Sequence, residues 1–461
     1  MSDRQTTSVL GAPRLRRTLR LWDLILYGMI VIQPTAPMPV YGVMSARAHG
    51  HAVTTVLIAM VAMLFTAISY GRMARAYPSA GSAFTYVGSE IHPALGYVTG
   101  WSMAMDYMLN PIVCTILCSK FALNFFPEIP YAALVFVFIA LFTGLNLFGI
   151  RTSARINEVM AAGMGIVILV FLIAAAHYVF GRPHAGAAFF TRPFYDPRTF
   201  TLPAVLGGTS LAVLTYIGFD GISTLSEEAE NPKRNILLAT VLVCLITGAL
   251  ASIEVYAAQL VWPGAEPFPD VDTAFVSVAG RAAGPWLFSL INLTLLVATV
   301  GSGMGSQLGA ARLLYGMGRG NALPKSFFGA IEPNRRIPQN NVIFVGVLAL
   351  AGTAVLTFER AAELLNFGAL LAFMGVNAAS FTRYFLRERE KKLSNVVVPV
   401  LGFAICLLLW LNLSYPAKIA GVVWMALGIG YGAIRTHGFR SDLVRFDVPE
   451  DVEGAVEAAE G

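Results

Sequence analysis

The sequence predicts an all-α membrane protein of twelve spanning helices, two of them interrupted. Three observations predict it. Of the 461 residues 56% are apolar and only 13% are charged, whereas a soluble domain carries about 25% charged residues. Apolar runs long enough to cross a hydrocarbon core of about 30 Å recur along the whole chain. Helix breakers gather inside the first and sixth of those runs, although an unpaired peptide group in lipid costs several kcal/mol.

The expected spans are 22–46, 52–74, 93–121, 130–149, 156–180, 201–225, 236–261, 285–315, 339–357, 362–384, 396–413 and 416–434. Length alone would suggest two or three domains. The recurring apolar runs override it and leave one membrane domain over 21–434, between an N-terminal tail (1–20) and an acidic C-terminal tail (435–461). Twelve spans place both termini on one side. That side then holds 24 of the 32 Lys and Arg, in the tails and in the loops of Arg72/Arg75, Arg151/Arg155, Lys233/Arg234, Arg312–Arg336 and Arg383–Lys392. The positive-inside rule makes it cytoplasmic. Topology therefore accounts for the net charge of +5, and nucleic-acid binding is not expected. The first 20 residues are polar and basic, with no small-residue cleavage site, so no cleavable signal peptide is expected. The tail "DVPEDVEGAVEAAEG" has little apolar content and is expected to be disordered.

In chain order, span one reads "LYGMIVIQPTAPMPVYGVMS". Pro34, Pro37 and Pro39 fall at its middle. Each proline lacks a donor and clashes with the preceding turn, at about 3 kcal/mol in a helix interior, so three predict an unwound stretch. Span three carries Asp106 in "GWSMAMDYMLNP", with Asn110 one turn later and Pro111 beside it. A carboxylate at a helix centre costs about 2.5–3.5 kcal/mol on insertion, which makes it a functional candidate. Glu158 near the start of span five and Glu254 in span seven are less central. Span six runs into "TYIGFDGISTLSEEAENP", where Gly218 and Gly221 flank Phe219-Asp220. Asp23, Glu227 and Glu228 sit near the cytoplasmic boundary, where solvation or capping is expected.

Cys114, Cys118, Cys244 and Cys406 all lie in apolar runs and read as packing residues. Two thiolates without a nearby His make a poor metal site. The six histidines lie mostly at span ends or in loops, and no HExxH or nucleophile–base set is present, so an enzyme is not expected. Matched breaks at the head of each five-span half point to a transporter site at mid-membrane, whereas a lone kink would need no function. Polar residues cluster at the breaks, which suits a carrier rather than a channel.

No Lys or Arg lies near the middle of any span to neutralise Asp106 or Asp220. Such carboxylates either stay protonated or await a cationic guest. Both options fit a carrier of amines, with or without proton exchange. A structural, hydrogen-bonded aspartate is the other reading for each.

Four segments together resemble the amino acid–polyamine–organocation permease superfamily. They are "ISYGRMARAYPSAGSAFTYVGSEIHPALGYVTGWSMAMDYML", "TYIGFDGISTLSEEAENP", "AARLLYGMGRGNALPKSF" and "LLNFGALLAFMGVN". The likeness runs from about residue 18 to 434. Within the family it is greatest to bacterial putrescine importers, which share the "LW" entry, the "DY" of span three and the "GFD…TLSEE" of span six.

The resemblance implies two inverted five-helix repeats (about 22–180 and 201–384) plus two extra helices, with alternating access around a site between the broken spans. Carried over by position, Gln33, Pro34 and Thr35 of span one would line the cavity. Tyr216, Phe219, Asp220 and Gly221 of span six would face them, with Asp106 from span three. The substrate would be putrescine or a related polyamine, with an amino acid as the alternative. No cofactor is implied.

Proton coupling would involve Asp220, Glu254 or Glu158. Sodium coupling would need carbonyls of span one with Ser302 and Ser306 of span eight, and is less expected. One departure bears on the substrate. Amino acid carriers of this family have a glycine-rich break in span one, whose amides hold the substrate carboxylate. Here the place reads "IQPTAP", and proline has no amide hydrogen. That favours an amine without a carboxylate, although Thr35, Ala36 and Met38 still carry amides. The major facilitator signature is absent. A transporter homologue acting as a nutrient sensor stays open.

Overall fold

The structure is a computed structural model. It describes residues 19–77, 82–148, 154–183, 186–263, 266–319, 323–332, 335, 337–436 and 438–439. The two expected tails lie almost wholly outside the described residues.

Among the described residues the fold is helical, with only two isolated β-bridges, Leu19–Ala229 and Glu332–Ile337. The first broken span is α1 (Leu21–Ile32) followed by α2 (Pro37–Arg47). Next come α3 (Ala52–Ala76), a short α4 (Ser82–Glu90), α5 (Pro93–Leu123), α6 (Tyr131–Leu147) and α7 (Ala154–Phe180). The short α8 (Ala187–Thr191) precedes α9 (Leu202–Ala212), which passes through a 3-10 turn (Val213–Thr215) to a second 3-10 stretch, Phe219–Glu227. Then follow α10 (Pro232–Val261), α11 (Ala274–Ala283), α12 (Pro285–Arg319), α13 (Lys325–Phe328), α14 (Gln339–Val355), α15 (Phe358–Phe381), α16 (Ser394–Leu411) and α17 (Tyr415–Arg435).

Every apolar segment read from the sequence falls on a helix or a broken helix. Among the described residues seven helices are each long and apolar enough to cross a membrane, and α1 with α2 make an eighth, bent by 55°. Four helices were not anticipated, α4, α8, α11 and α13. All four are short, and they lie between the expected spans.

Local chemistry sets the helix limits. Pro93 opens α5, where its missing donor costs nothing, and the His92 ring accepts the Ala94 amide at 3.1 Å. The Thr357 hydroxyl caps α15. Pro111 sits inside α5 without ending it; the Thr115 hydroxyl bonds back to the Pro111 carbonyl at 2.8 Å.

Helices approach closely through small residues, since lipid offers no hydrophobic drive for their association. A Cβ on Gly71 of α3 would lie 2.6 Å from the Leu237 Cα of α10, and one on Gly248 of α10 would strike Met60 of α3. At the end of the bundle where α1 begins, Glu90 is buried between Arg383 (2.6 Å) and Arg387 (3.1 Å), and the Tyr77 hydroxyl donates to it. This cluster ties α4 to the π-helical turn Thr382–Arg387 after α15.

Candidate functional site

The break in span one is shorter than three prolines suggested. Pro37 and Pro39 lie in the first turn of α2, where a helix has orphan amides in any case. Only residues 33–36 are unwound. Gln33 takes a left-handed φ of 68°, uncommon for a residue with a side chain. Its amide still closes α1 onto the Met29 carbonyl at 3.0 Å, and its side-chain nitrogen donates to the Ala298 carbonyl of α12 at 3.1 Å.

The Ala36 and Met38 amides bond to Gln33 and Thr35 carbonyls, each at 3.0 Å. In this break the Thr35 amide has no such backbone partner. The Thr35 side chain is enclosed, with its hydroxyl 3.7 Å from the Met164 sulfur. The N-terminus of α2 thus keeps almost none of the donors with which a helix holds an anion.

In span six the interruption falls at residues 216–218, slightly earlier than the glycine pair suggested. Gly218 has φ of 120°, a conformation that a side chain would strain. The chain beyond it is 3-10 for nine residues, Phe219–Glu227. Runs this long are uncommon and mark hinges or strain.

Asp220 heads that stretch. Its Oδ1 accepts the Gly218 amide at 3.2 Å, and the amides of Asp220 and Gly221 also point to the carboxylate. The backbone therefore presents Asp220 as an oriented acceptor. A Cβ on Gly221 would meet open space, so there is room beside it.

Asp106 of α5 lies within electrostatic reach of Asp220. Both are surrounded by protein, yet both keep water-accessible surface, so they border an internal space. Among the described residues neither forms an ion pair.

Four tyrosines that the sequence reading passed over also lie within reach of the Asp220 carboxylate. They are Tyr27 of α1, Tyr70 of α3, Tyr86 of α4 and Tyr107 of α5. Tyr27 and Tyr107 are partly exposed. Tyr70 and Tyr86 are buried. The "DY" pair was the one local signal for this set; the other three converge only through the fold.

Other expected residues are placed differently. Tyr216 is fully buried, and its hydroxyl donates to the Val56 carbonyl at 2.9 Å. Phe219 is also enclosed, packed edge-on to Tyr70 (5.6 Å between centroids) and tilted against Phe373 of α15 (5.4 Å). Both wall the space from behind. Glu254 of α10 has no exposed surface, and neither carboxyl oxygen has a hydrogen-bond partner among the described residues. Glu158 is exposed on α7. The Ser302 and Ser306 hydroxyls turn to Cys114, and Ser306 also donates to the Gly303 carbonyl at 3.1 Å. No cluster of metal-binding side chains is found among the described residues.

A helical membrane bundle with two interrupted helices meeting at unneutralised carboxylates defines a carrier. The sequence pattern of the family described as "Amino acid permease" matches residues 40–438. The chain belongs to that family and is a multi-pass membrane transporter of the amino acid–polyamine–organocation type.

It is 35% identical to the low-affinity putrescine importer PlaP of Escherichia coli K12, over 94% of this chain and 96% of the relative. It is 25% identical to the branched-chain amino acid permease BcaP of Bacillus subtilis, over 91% and 93%. It is likewise 25% identical to the methylthioribose transporter of B. subtilis, over 90% and 92%.

Proposed function

We propose that this protein imports an organic amine, putrescine or a related polyamine, by alternating access. The observation that carries the proposal is the pair Asp106 and Asp220. They lie within electrostatic reach of each other, both keep accessible surface inside the bundle, and neither forms an ion pair among the described residues. An alkyl-ammonium group would supply the missing charge, while Tyr107 would offer an aromatic face. The proline-blocked start of α2 supports the same reading, because it has little to offer a carboxylate. The likeness to a putrescine importer over nearly the whole chain agrees with it.

In this reading the chain crosses the membrane twelve times. Spans 1–5 and 6–10 form an inverted repeat, and both termini and the α1 end of the bundle face the cytoplasm. The membrane is the bacterial inner membrane. Import of a dication into a negative-inside cell gains about 4.6 kcal/mol per 100 mV, so the potential alone can drive it. Where protons are exchanged, Glu254 and Asp220 are the groups proposed to carry them, with Glu158 a more peripheral candidate. The second reading is an amino acid permease. The free Thr35 amide and the likeness to BcaP favour it.

The test is uptake of radiolabelled putrescine by reconstituted protein, with competing solutes. Unlabelled putrescine and cadaverine are expected to compete better than neutral amino acids. Better competition by leucine or γ-aminobutyrate defeats the amine reading and leaves the permease reading standing.

A further inference from the structure

We propose that α4 is a brace for Asp220. Ser82 at its start positions the 3-10 stretch that carries the carboxylate, and Glu90 at its end anchors the helix. The inference concerns the same site, and it does not depend on whether an amine or an amino acid is carried.

The link to Asp220 is a chain of two hydrogen bonds. The Ser223 hydroxyl donates to the Asp220 carbonyl at 2.6 Å, and the Ser82 and Ser223 hydroxyl oxygens are 3.0 Å apart. A serine hydroxyl has a single proton. That of Ser223 goes to the carbonyl, so Ser82 is the donor between the two. Both side chains are buried, where a lost hydrogen bond is not replaced by one to water.

Ser82 has a left-handed φ of 45°, uncommon for a residue with a side chain. Glycine adopts such a φ freely. The hydroxyl, not the backbone, is therefore what serine brings to this position. Rings add a second contact. Tyr70 of α3 is edge-on to Tyr86 of α4 (6.2 Å between centroids) and to Phe219, the neighbour of Asp220 (5.6 Å).

A brace must itself be fixed. A Cβ on Gly96 of α5 would lie 2.7 Å from the Gly88 Cα of α4, and one on Gly375 of α15 would lie 3.0 Å from the Val87 side chain. At the far end, Glu90 is buried against Arg383 (2.6 Å) and Arg387 (3.1 Å), and it accepts the Tyr77 hydroxyl at 2.7 Å. Arg387 also donates to the Ser89 carbonyl at 3.3 Å. From Ser82 to Glu90 the helix rises about 12 Å, so it joins the charge cluster to the hydrogen-bond chain at Asp220. A carboxylate held in this way needs no ordering when a substrate arrives.

Hydrogen–deuterium exchange of the full-length protein in detergent, read by mass spectrometry, tests the brace. The variants are Ser82→Gly, Glu90→Gln and, as a control, Lys120→Met at the other end of α5. Ser82→Gly suits the backbone but lacks the hydroxyl. In it the amides of Phe219–Glu227 are expected to exchange about three- to tenfold faster, as for loss of one buried hydrogen bond. Glu90→Gln should raise exchange in that stretch as well as in α4, and Lys120→Met should change neither. Equilibrium binding of putrescine should weaken in Ser82→Gly by a similar factor.

Unchanged or slower exchange of Phe219–Glu227 in Ser82→Gly overturns the proposal, because Ser82 then serves its own turn alone. Faster exchange along the whole chain overturns it too, since that reports general loosening. So does unchanged putrescine binding in Ser82→Gly where wild type binds. Changes in Glu90→Gln confined to α4 and Thr382–Arg387 overturn the anchoring role of Glu90. Should Glu90→Gln give no folded protein, Tyr77→Phe, which removes one bond to Glu90, takes its place. Wild type that binds no putrescine overturns the amine reading and leaves the exchange result to decide on the brace.

Discussion

The two halves of each broken span are built to different standards. On one side of the breaks, α2 and α9 are tightly packed. A Cβ on Gly42 of α2 would lie 1.9 Å from the Val271 carbonyl oxygen, and one on Gly208 of α9 would lie 2.7 Å from the Ala48 Cβ. The Arg47 guanidinium lies over Gly207 and reaches toward Glu359 (3.9 Å) and Glu363 (4.0 Å) of α15. Lys120 bridges to Asp270 at 2.9 Å and Asp272 at 3.5 Å.

On the other side, α1 packs through Gly28 against Ile222 but leaves Trp22, Leu26, Tyr27 and Val31 exposed. The 3-10 stretch beside it has open room at Gly221. Backbone contact through small residues thus holds α2 and α9, while Gly221 beside α1 meets open room.

Substitutions can break this comparison. The largest effect is expected at the point where the halves meet. Asp220→Asn removes the oriented anion and should weaken amine binding at least about thirtyfold, in line with loss of one partner of a buried charge pair. Protein amounts should stay near wild type, and unchanged affinity in equilibrium binding would remove Asp220 from the site.

Next comes a matched pair. Gly42→Ala forces a methyl group onto the Val271 carbonyl and should cost about 1–3 kcal/mol of stability by overpacking. Gly221→Ala adds the same methyl group to open space and should stay within about 0.5 kcal/mol. Thermal melting in detergent compares them, and equal losses would erase the distinction between the close-packed and the open glycine.

Glu254→Leu should have a smaller effect. Removing a buried carboxyl that has no partner is expected to leave stability within about 1 kcal/mol of wild type, or to raise it. If Glu254 carries the coupled proton, uptake in the variant should lose its response to an imposed pH gradient. A preserved response assigns coupling elsewhere. The smallest effect is expected for Lys120→Met, which cuts a partly exposed ion pair. Its stability should change by about 1 kcal/mol or less, and a large loss of melting temperature would contradict that.

Much of the architecture was legible in the sequence. Apolar length marks a membrane helix whatever its neighbours are, because the bilayer is the same solvent for all of them. Breakers inside such runs are equally legible, since lipid cannot satisfy freed backbone groups. Asp106 and Asp220 stood out for the same reason, as charges in a medium that penalises them.

Residues whose roles depend on direction were not legible. Pro37 and Pro39 read as breakers, yet they start α2. Tyr216 and Phe219 read as lining, yet they point into packing against α3 and α15. Tyr27 reads as one more aromatic residue in an apolar run.

The sequence by itself determined the medium, the long apolar helices, the two breaks and the unpaired acids, because each follows from local composition against a uniform solvent. Only the tertiary structure decided which faces of α1, α3, α4 and α5 converge on Asp220 and where helices meet through glycine. Those outcomes depend on close contacts between helices far apart in the chain, such as Gly42 against Val271, and no single segment encodes them.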